Sequence, residues 1–258
     1  MKITVLGSGS AFGVPMLFNT WKGVNPTNPK NERTRASLLL EENDCSILID
    51  AGPELRIQTN RFNVKNIDAV LITHAHYDHI GGIPELPRAT KILEHGIDIY
   101  ATKETMAGIK DNYGYLFKEK ADAEPDSKSL RWALLPECGN FNVAGLNFET
   151  LTFAHHKIFS SGFRYKNFAY VTDWQALPEG SDKFFSNLDL LIIECNNGNV
   201  PEENGHADLF KIKEIKEKFN PKHIVLSHLS WRIDYDSFAK LLPPDCELSY
   251  DGMVLNYK

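Results

Sequence analysis

The run Thr73-His74-Ala75-His76-Tyr77-Asp78-His79-Ile80-Gly81-Gly82 sets three imidazoles and one carboxylate within six residues, directly behind the aliphatic stretch Ala69-Val70-Leu71-Ile72-Thr73. An ordinary core has no use for that density, because buried polar groups cost free energy unless each finds a partner. Imidazole is the commonest metal-binding side chain, and a carboxylate beside it suits Zn²⁺, Mn²⁺ or Fe. In an extended segment, residues i and i+2 point the same way. His74 and His76 are therefore expected to converge on one ion, while Asp78 and His79, past the bend, reach a second. The rest of the chain must bring this strand end to a rim and supply further donors.

With 258 residues, 42% hydrophobic and 24% charged, the chain has enough apolar material for one sizeable core, and a single domain over 1–258 is expected. No basic leader precedes a long apolar segment, and no apolar run approaches about 18 residues, so a cytoplasmic protein without membrane contact is expected. Cys45, Cys138, Cys195 and Cys246 form no C-x-x-C pair and read as buried free thiols. A net charge of -6 disfavours nucleic acid as a partner. A small anionic substrate fits better, because two cations bring their own positive charge. A homodimer is an open alternative.

The opening strand 3–6 runs into Gly7-Ser8-Gly9-Ser10-Ala11-Phe12-Gly13, which invites a dinucleotide-binding reading. The third glycine falls one residue late and Val14-Pro15 follows where a helix should start, so this is a loop whose amides, Ser8 or Ser10 border the site. Residues 18–35 show no apolar period and read as a long surface loop. Strands are expected at 36–40, 46–49, 69–73 and 97–101. Pro53 is expected at the first position of a helix leading to the motif strand, and a short irregular helix follows Gly82. From 103 to 129 the pattern is mixed, and Tyr113-Gly114-Tyr115-Leu116-Phe117 suits either a lid over the site or a patch under a loop. Strands follow at 130–135, 141–143, 146–153, 162–165 and 168–172. A strand at 188–194, a helix at 208–219 and a strand at 223–226 close the series. This order points to two sheets face to face with helices outside; no internal repeat is visible.

Three more metal-competent side chains directly follow β-rich runs: His155, Asp173 and His228. The motif His-x-His-x-Asp-His before Gly-Gly resembles the signature of the metallo-β-lactamase superfamily, which implies an α/β architecture, a four-layer αββα sandwich of two mixed sheets. The segments Leu6-Gly7-Ser8-Gly9-Ser10, Gly13-Val14-Pro15, His155-His156-Lys157, Tyr170-Val171-Thr172-Asp173, Ser227-His228-Leu229-Ser230 and Tyr250-Asp251-Gly252-Met253 more closely resemble the phosphodiesterase subgroup containing the carbon-phosphorus lyase accessory protein. That resemblance implies His74, His76 and His155 on one ion, Asp78, His79 and His228 on the other, and Asp173 between them. It also implies a catalytic role for His206, as general acid or phosphoryl-oxygen contact, beside a helix whose first amides favour an anion.

The chain departs from the subgroup in three places. No thiol follows Gly-Val-Pro, so the subgroup's structural zinc is not expected. His156 stands where glycine is common, and an exposed or supporting role is expected of it ahead of that of a spare ligand. Trp231 follows His-Leu-Ser in place of a further histidine, and Trp231 and Arg232 are candidate substrate contacts. His95 and His223 read as structural.

The expected reaction is hydrolysis of a small or cyclic phosphodiester, with Asp78 oriented on a hydroxide shared by two cations, Zn²⁺ or Mn²⁺ with Fe²⁺ as a further option. Hydrolysis of an ester, thioester or lactam uses the same donors, and a non-catalytic metal-binding protein is the alternative of a different class.

Overall fold

A computed structural model describes residues 1–117, 128–202 and 204–257. In chain order its strands are β1 (Lys2–Gly7), β2 (Ser37–Glu42), β3 (Cys45–Ile49), β4 (Ala69–Leu71), β5 (Ile97–Ala101), β6 (Leu130–Leu134) and β7 (Cys138–Val143). They continue with β8 (Leu146–His155), β9 (Ile158–Tyr165), β10 (Phe168–Val171), β11 (Leu190–Glu194), β12 (Ile224–Ser227), β13 (Cys246–Leu248) and β14 (Val254–Asn256). One seven-stranded sheet runs β14-β1-β2-β3-β4-β5-β6 and the other β13-β12-β11-β10-β9-β8-β7.

The two sheets share a plan. β3, β4, β5 and β6 pair in parallel, as do β10, β11, β12 and β13, and every other pairing is antiparallel. By position β3 therefore corresponds to β10, and β4 to β11. The sequence shows no repeat because a pleated framework is conserved by burial pattern, which many different side chains satisfy.

Period-2 alternation builds the layers. Ile47, Ile49, Leu190 and Ile192 meet between the sheets, with Phe148, Phe163 and Tyr170. Their neighbour Leu48 faces outward beneath helices α1 (Leu55–Arg61), α2 (Tyr77–Ile80), α3 (Leu86–Leu93) and α4 (Lys103–Tyr113). Leu191 and Ile193 do the same beneath α5 (Ser181–Phe184), α6 (Leu209–Phe219) and α7 (Tyr235–Ala239). Helix, sheet, sheet and helix make the four layers. Each Leu, Ile or Phe fully buried there contributes about 1.5–3 kcal/mol, against about 1 kcal/mol for a helix cap, so the inter-sheet core dominates stability.

Several local expectations need correction. The strand placed at 146–153 extends to His155, and the one placed at 162–165 begins at Ile158. The small polar run Ser160-Ser161-Gly162 hid that strand; Ser160 is buried and donates to the Thr172 carbonyl at 2.8 Å. Residues 103–113 form a helix capped by the Thr102 hydroxyl. Tyr113, Leu116 and Phe117 pack onto the outer face of the first sheet, with Phe117 stacked 3.7 Å from Trp132. The patch, not the lid, describes them; the polar run around Pro125 lies outside the described residues. Pro53 sits in a turn, and its helix starts at Leu55.

The 18–35 loop is not wholly at the surface. Arg33 is buried and donates to the Ile233 carbonyl at 2.8 Å and to Asn31 Oδ1 at 3.0 Å, pinning the loop to the segment after His228. Of the free thiols, Cys45 and Cys195 are buried, Cys246 half-buried and Cys138 exposed, so burial holds for only some of them. Among the described residues no helix is long and apolar enough to cross a membrane.

Candidate metal centre

Beyond β4 the chain runs on to His76, itself in an extended conformation, and one turn of α2 then carries Asp78 and His79. The turn fits because glycines face each other across it. A Cβ on Gly82 would lie 2.2 Å from the Gly52 carbonyl oxygen, and one on Gly52 2.4 Å from that of Asp78. His155 ends β8, Asp173 follows β10 and His228 follows β12. β8, β10, β11 and β12 run in one direction, so their C-terminal ends open onto the same edge. Asp173 (φ 53) and His228 (φ 54) leave their strands in the left-handed region, which turns the chain sharply at that edge.

The structure gathers all seven side chains into one cluster. One donor atom each from His74, His76 and His155 lie within 4.8 Å of one another, and the same holds for Asp78, His79 and His228. In the first group His76 Nδ1 is 3.0 Å from His74 Nε2 and 3.3 Å from His155 Nε2. In the second, Asp78 Oδ2 is 3.0 Å from His79 Nε2 and 3.4 Å from His228 Nε2. Asp173 lies between them. Its Oδ2 is 3.2 Å from His79 Nε2 and 3.5 Å from His228 Nε2, while its Oδ1 is 3.6 Å from His155 Nε2.

Outer partners fix which ring nitrogen faces inward. His79 Nδ1 lies 2.7 Å from Asp50 Oδ2, and Thr73 Oγ1 lies 3.1 Å from His74 Nδ1 while donating to the same Asp50 carboxylate. His155 Nδ1 donates to the Gly205 carbonyl at 2.8 Å. Each ring thereby turns Nε2 to the cluster, the arrangement that orients metal-bound imidazoles. His79 Nε2 is buried between the Asp78 and Asp173 carboxylates with neither aligned for a hydrogen bond, and the convergent nitrogen and carboxylate donors fit a divalent metal ion.

Electrostatics divide the rings. Burial pushes His74, His76 and His155 below the ordinary imidazole value, leaving neutral rings with a lone pair to donate. At His79 burial works the same way, but Asp78, Asp50 and Asp173 outweigh it and hold the ring well above its usual value. His228 is likewise raised, burial being outweighed by Asp173 together with Asp78 and Glu194. Asp173 stays ionised against its burial because His228 and His79 face it.

His206 lies at the mouth of the cluster, with Nδ1 2.5 Å from Glu194 Oε1 and 3.4 Å from Asp173 Oδ1. Burial lowers its pKa, but Glu194 and then Asp173 bring it above the ordinary value. The amides expected to attract an anion at the start of α6 are already taken. Those of Phe210 and Lys211 donate to Asp208 Oδ1, and that of Leu209 to the Gly198 carbonyl.

A cavity of about 390 Å³ opens over the cluster, lined by His76, Asp78 and His206 and rimmed by Ser10, Phe12, Trp231 and Arg232. Ser8 instead turns away and donates to Asp251, which also holds Thr34. Arg232 pairs with Glu202 at 2.9 Å. His95 bonds Asn66 and His223 bonds Tyr257, away from the cavity. Sequence reasoning missed Asp50 and Glu194, both fully buried beside these rings. Each is an acid directly after or ending an apolar strand, the same signal that picked out Asp173.

Comparisons with known proteins agree with this fold. The family model described as "Beta-lactamase superfamily domain" matches residues 46–229. A solved structure titled as a new diphosphatase from the PhnP family superposes with a TM-score of 0.87 at 25% identity, covering 100% of this chain and 98% of that one. The chain is 23% identical to ribonuclease Z of Clostridium tetani over 313 residues, 93% of this chain and 98% of that protein. It is 28% identical over 255 residues to a protein of Porphyromonas gingivalis named octanoyltransferase, covering 98% of this chain but 51% of that protein. The chain thus spans about half the length of that relative.

Proposed function

Because the chain belongs to the beta-lactamase superfamily and has the metallo-β-lactamase fold, we propose that it is a dinuclear metal-dependent hydrolase of a small or cyclic phosphodiester. One observation carries the reading: Asp173 turns Oδ2 to His79 and His228 and Oδ1 to His155, so a single carboxylate faces both donor groups. His74, His76 and His155 would hold one ion and Asp78, His79 and His228 the other, with Zn²⁺, Mn²⁺ or Fe²⁺ suiting the mixed donors. When bound, such ions supply Lewis acidity that favours hydroxide over water near neutral pH.

The chain's own groups do the rest. Asp78, at the cavity wall, accepts a hydrogen bond from the attacking water and aims its lone pair at phosphorus, and the proton that the water sheds as its bond to phosphorus forms passes by way of Asp78 to solvent. Glu194 holds His206 by Nδ1, which leaves Nε2 uncommitted on a ring that lines the cavity. As the bond from phosphorus to the leaving oxygen breaks, that oxygen takes the proton from His206 Nε2. Arg232 and Trp231 line the rim and would be the groups to contact an anionic substrate there. The names of the ribonuclease and diphosphatase relatives support attack at phosphorus.

A second reading, hydrolysis of an ester or thioester, draws support from the octanoyltransferase relative, which covers nearly all of this chain. Elemental analysis followed by assays on bis(4-nitrophenyl) phosphate, a cyclic nucleotide, a nucleoside diphosphate, an octanoyl thioester and a lactam separates the two. Phosphodiester turnover that chelation abolishes supports the first; thioester turnover alone supports the second and overturns the first.

A further inference from the structure

The turn between β8 and β9 carries a group that the proposed reaction does not use. His155 pairs with Ile158, so His156 and Lys157 alone make the turn, and His156 sits at φ 51, in the region that favours glycine. A histidine kept in that conformation calls for a reason.

Its surroundings supply one. The exposed His156 ring rests on Gly205, where a Cβ would come within 2.6 Å of His156 Cε1 and Nε2, so that glycine makes room for the ring. The ring centroid is 4.6 Å from that of His155 and 5.6 Å from that of His206. One nitrogen from each of these three rings lies within 4.8 Å of the others. His206 Nδ1 is committed to Glu194 and His155 Nδ1 to the Gly205 carbonyl. The nitrogens that remain are those of His156, Nε2 of His206, and Nε2 of His155, which the first donor group already claims.

We propose that His156 and His206, with His155 at the edge, form a further and weaker site for a divalent transition-metal ion such as Zn²⁺ at the cavity mouth. Donors made up only of imidazole select zinc-like ions over magnesium or calcium. Zinc to nitrogen bonds of about 2.0–2.1 Å draw the nitrogens of His156 and His206 closer than the 4.8 Å that bounds them here, and the exposed ring is the one with room to turn. An ion there occupies Nε2 of His206, the nitrogen assigned to protonate the leaving oxygen. Excess zinc therefore inhibits by removing the acid. The effect on turnover rests on the proposed function; the binding does not.

The test compares the full chain, with its tight metal sites filled, against His156→Gly and His156→Asn, two residues that accept the left-handed turn. Equilibrium dialysis against rising Zn²⁺ with elemental analysis reads binding, and hydrolysis of bis(4-nitrophenyl) phosphate reads inhibition. The wild-type chain should take up one more zinc than either variant, which should bind it at least about tenfold more weakly. Inhibition should follow that uptake in the wild type and be lost in both variants, while Mg²⁺ should produce neither. Equal zinc uptake by the three proteins overturns the site. Uptake lost with inhibition unchanged overturns the capture of His206. A chain that hydrolyses no phosphodiester overturns the proposed function instead, and the dialysis still decides the site.

Discussion

The first half of the molecule supplies four of its seven candidate donors from one strand end and one turn, His74 to His79. The second supplies three, each from the end of a different strand. Both halves use the same sheet plan, yet equivalent positions do different work. Asp50 follows β3 at φ 63 and Asp173 follows β10 at φ 53, at corresponding places in the two sheets. Asp50 sits behind a ring, against His79 Nδ1, whereas Asp173 faces the donors themselves. A shared framework thus gives one carboxylate an orienting place and its counterpart a place inside the cluster.

Substitutions at these paired positions can break the comparison. Asp173→Ala should lose both ions and lower phosphodiester turnover by more than about a thousandfold, measured by elemental analysis and initial rates. Retention of both ions would remove Asp173 from its bridging place. His206→Ala should lower turnover by about a hundredfold or more with metal content unchanged, since a positioned acid contributes on that scale. Full activity in that variant would end its assignment as proton donor. Asp50→Ala should weaken metal affinity by only about ten- to a hundredfold, as expected for a group that orients a ligand. If dialysis shows Asp50→Ala as empty as Asp173→Ala, the two carboxylates are not distinguished as described. Smallest of all, Asp208→Ala should cost about 1 kcal/mol in urea unfolding through loss of the α6 cap, with metal content intact.

The same contrast explains what could be read from sequence. Four donors in one segment need only a strand and a turn to meet, and both are written in local pattern. His155, Asp173 and His228 were visible as polar residues after apolar runs, but their convergence depends on the parallel order of β10, β11 and β12, which is non-local. Asp50 and Glu194 carry the same local signal as Asp173, an acid closing an apolar run, but that they touch rings rather than face the cavity is settled only once the chain is folded. The strand starting at Ile158 was missed because its buried serines satisfy their hydroxyls across the sheet, so its polarity resembled a loop. Helix α4 was obscured by an apolar period too sparse to stand out, although Thr102 caps it.

Metal content bears most directly on the proposed convergence of both halves around two ions. The purified chain should hold two divalent ions per molecule by elemental analysis, chelation should remove them together with phosphodiester turnover, and readdition should restore both. Full turnover by a chain stripped to less than one ion per molecule would contradict the account.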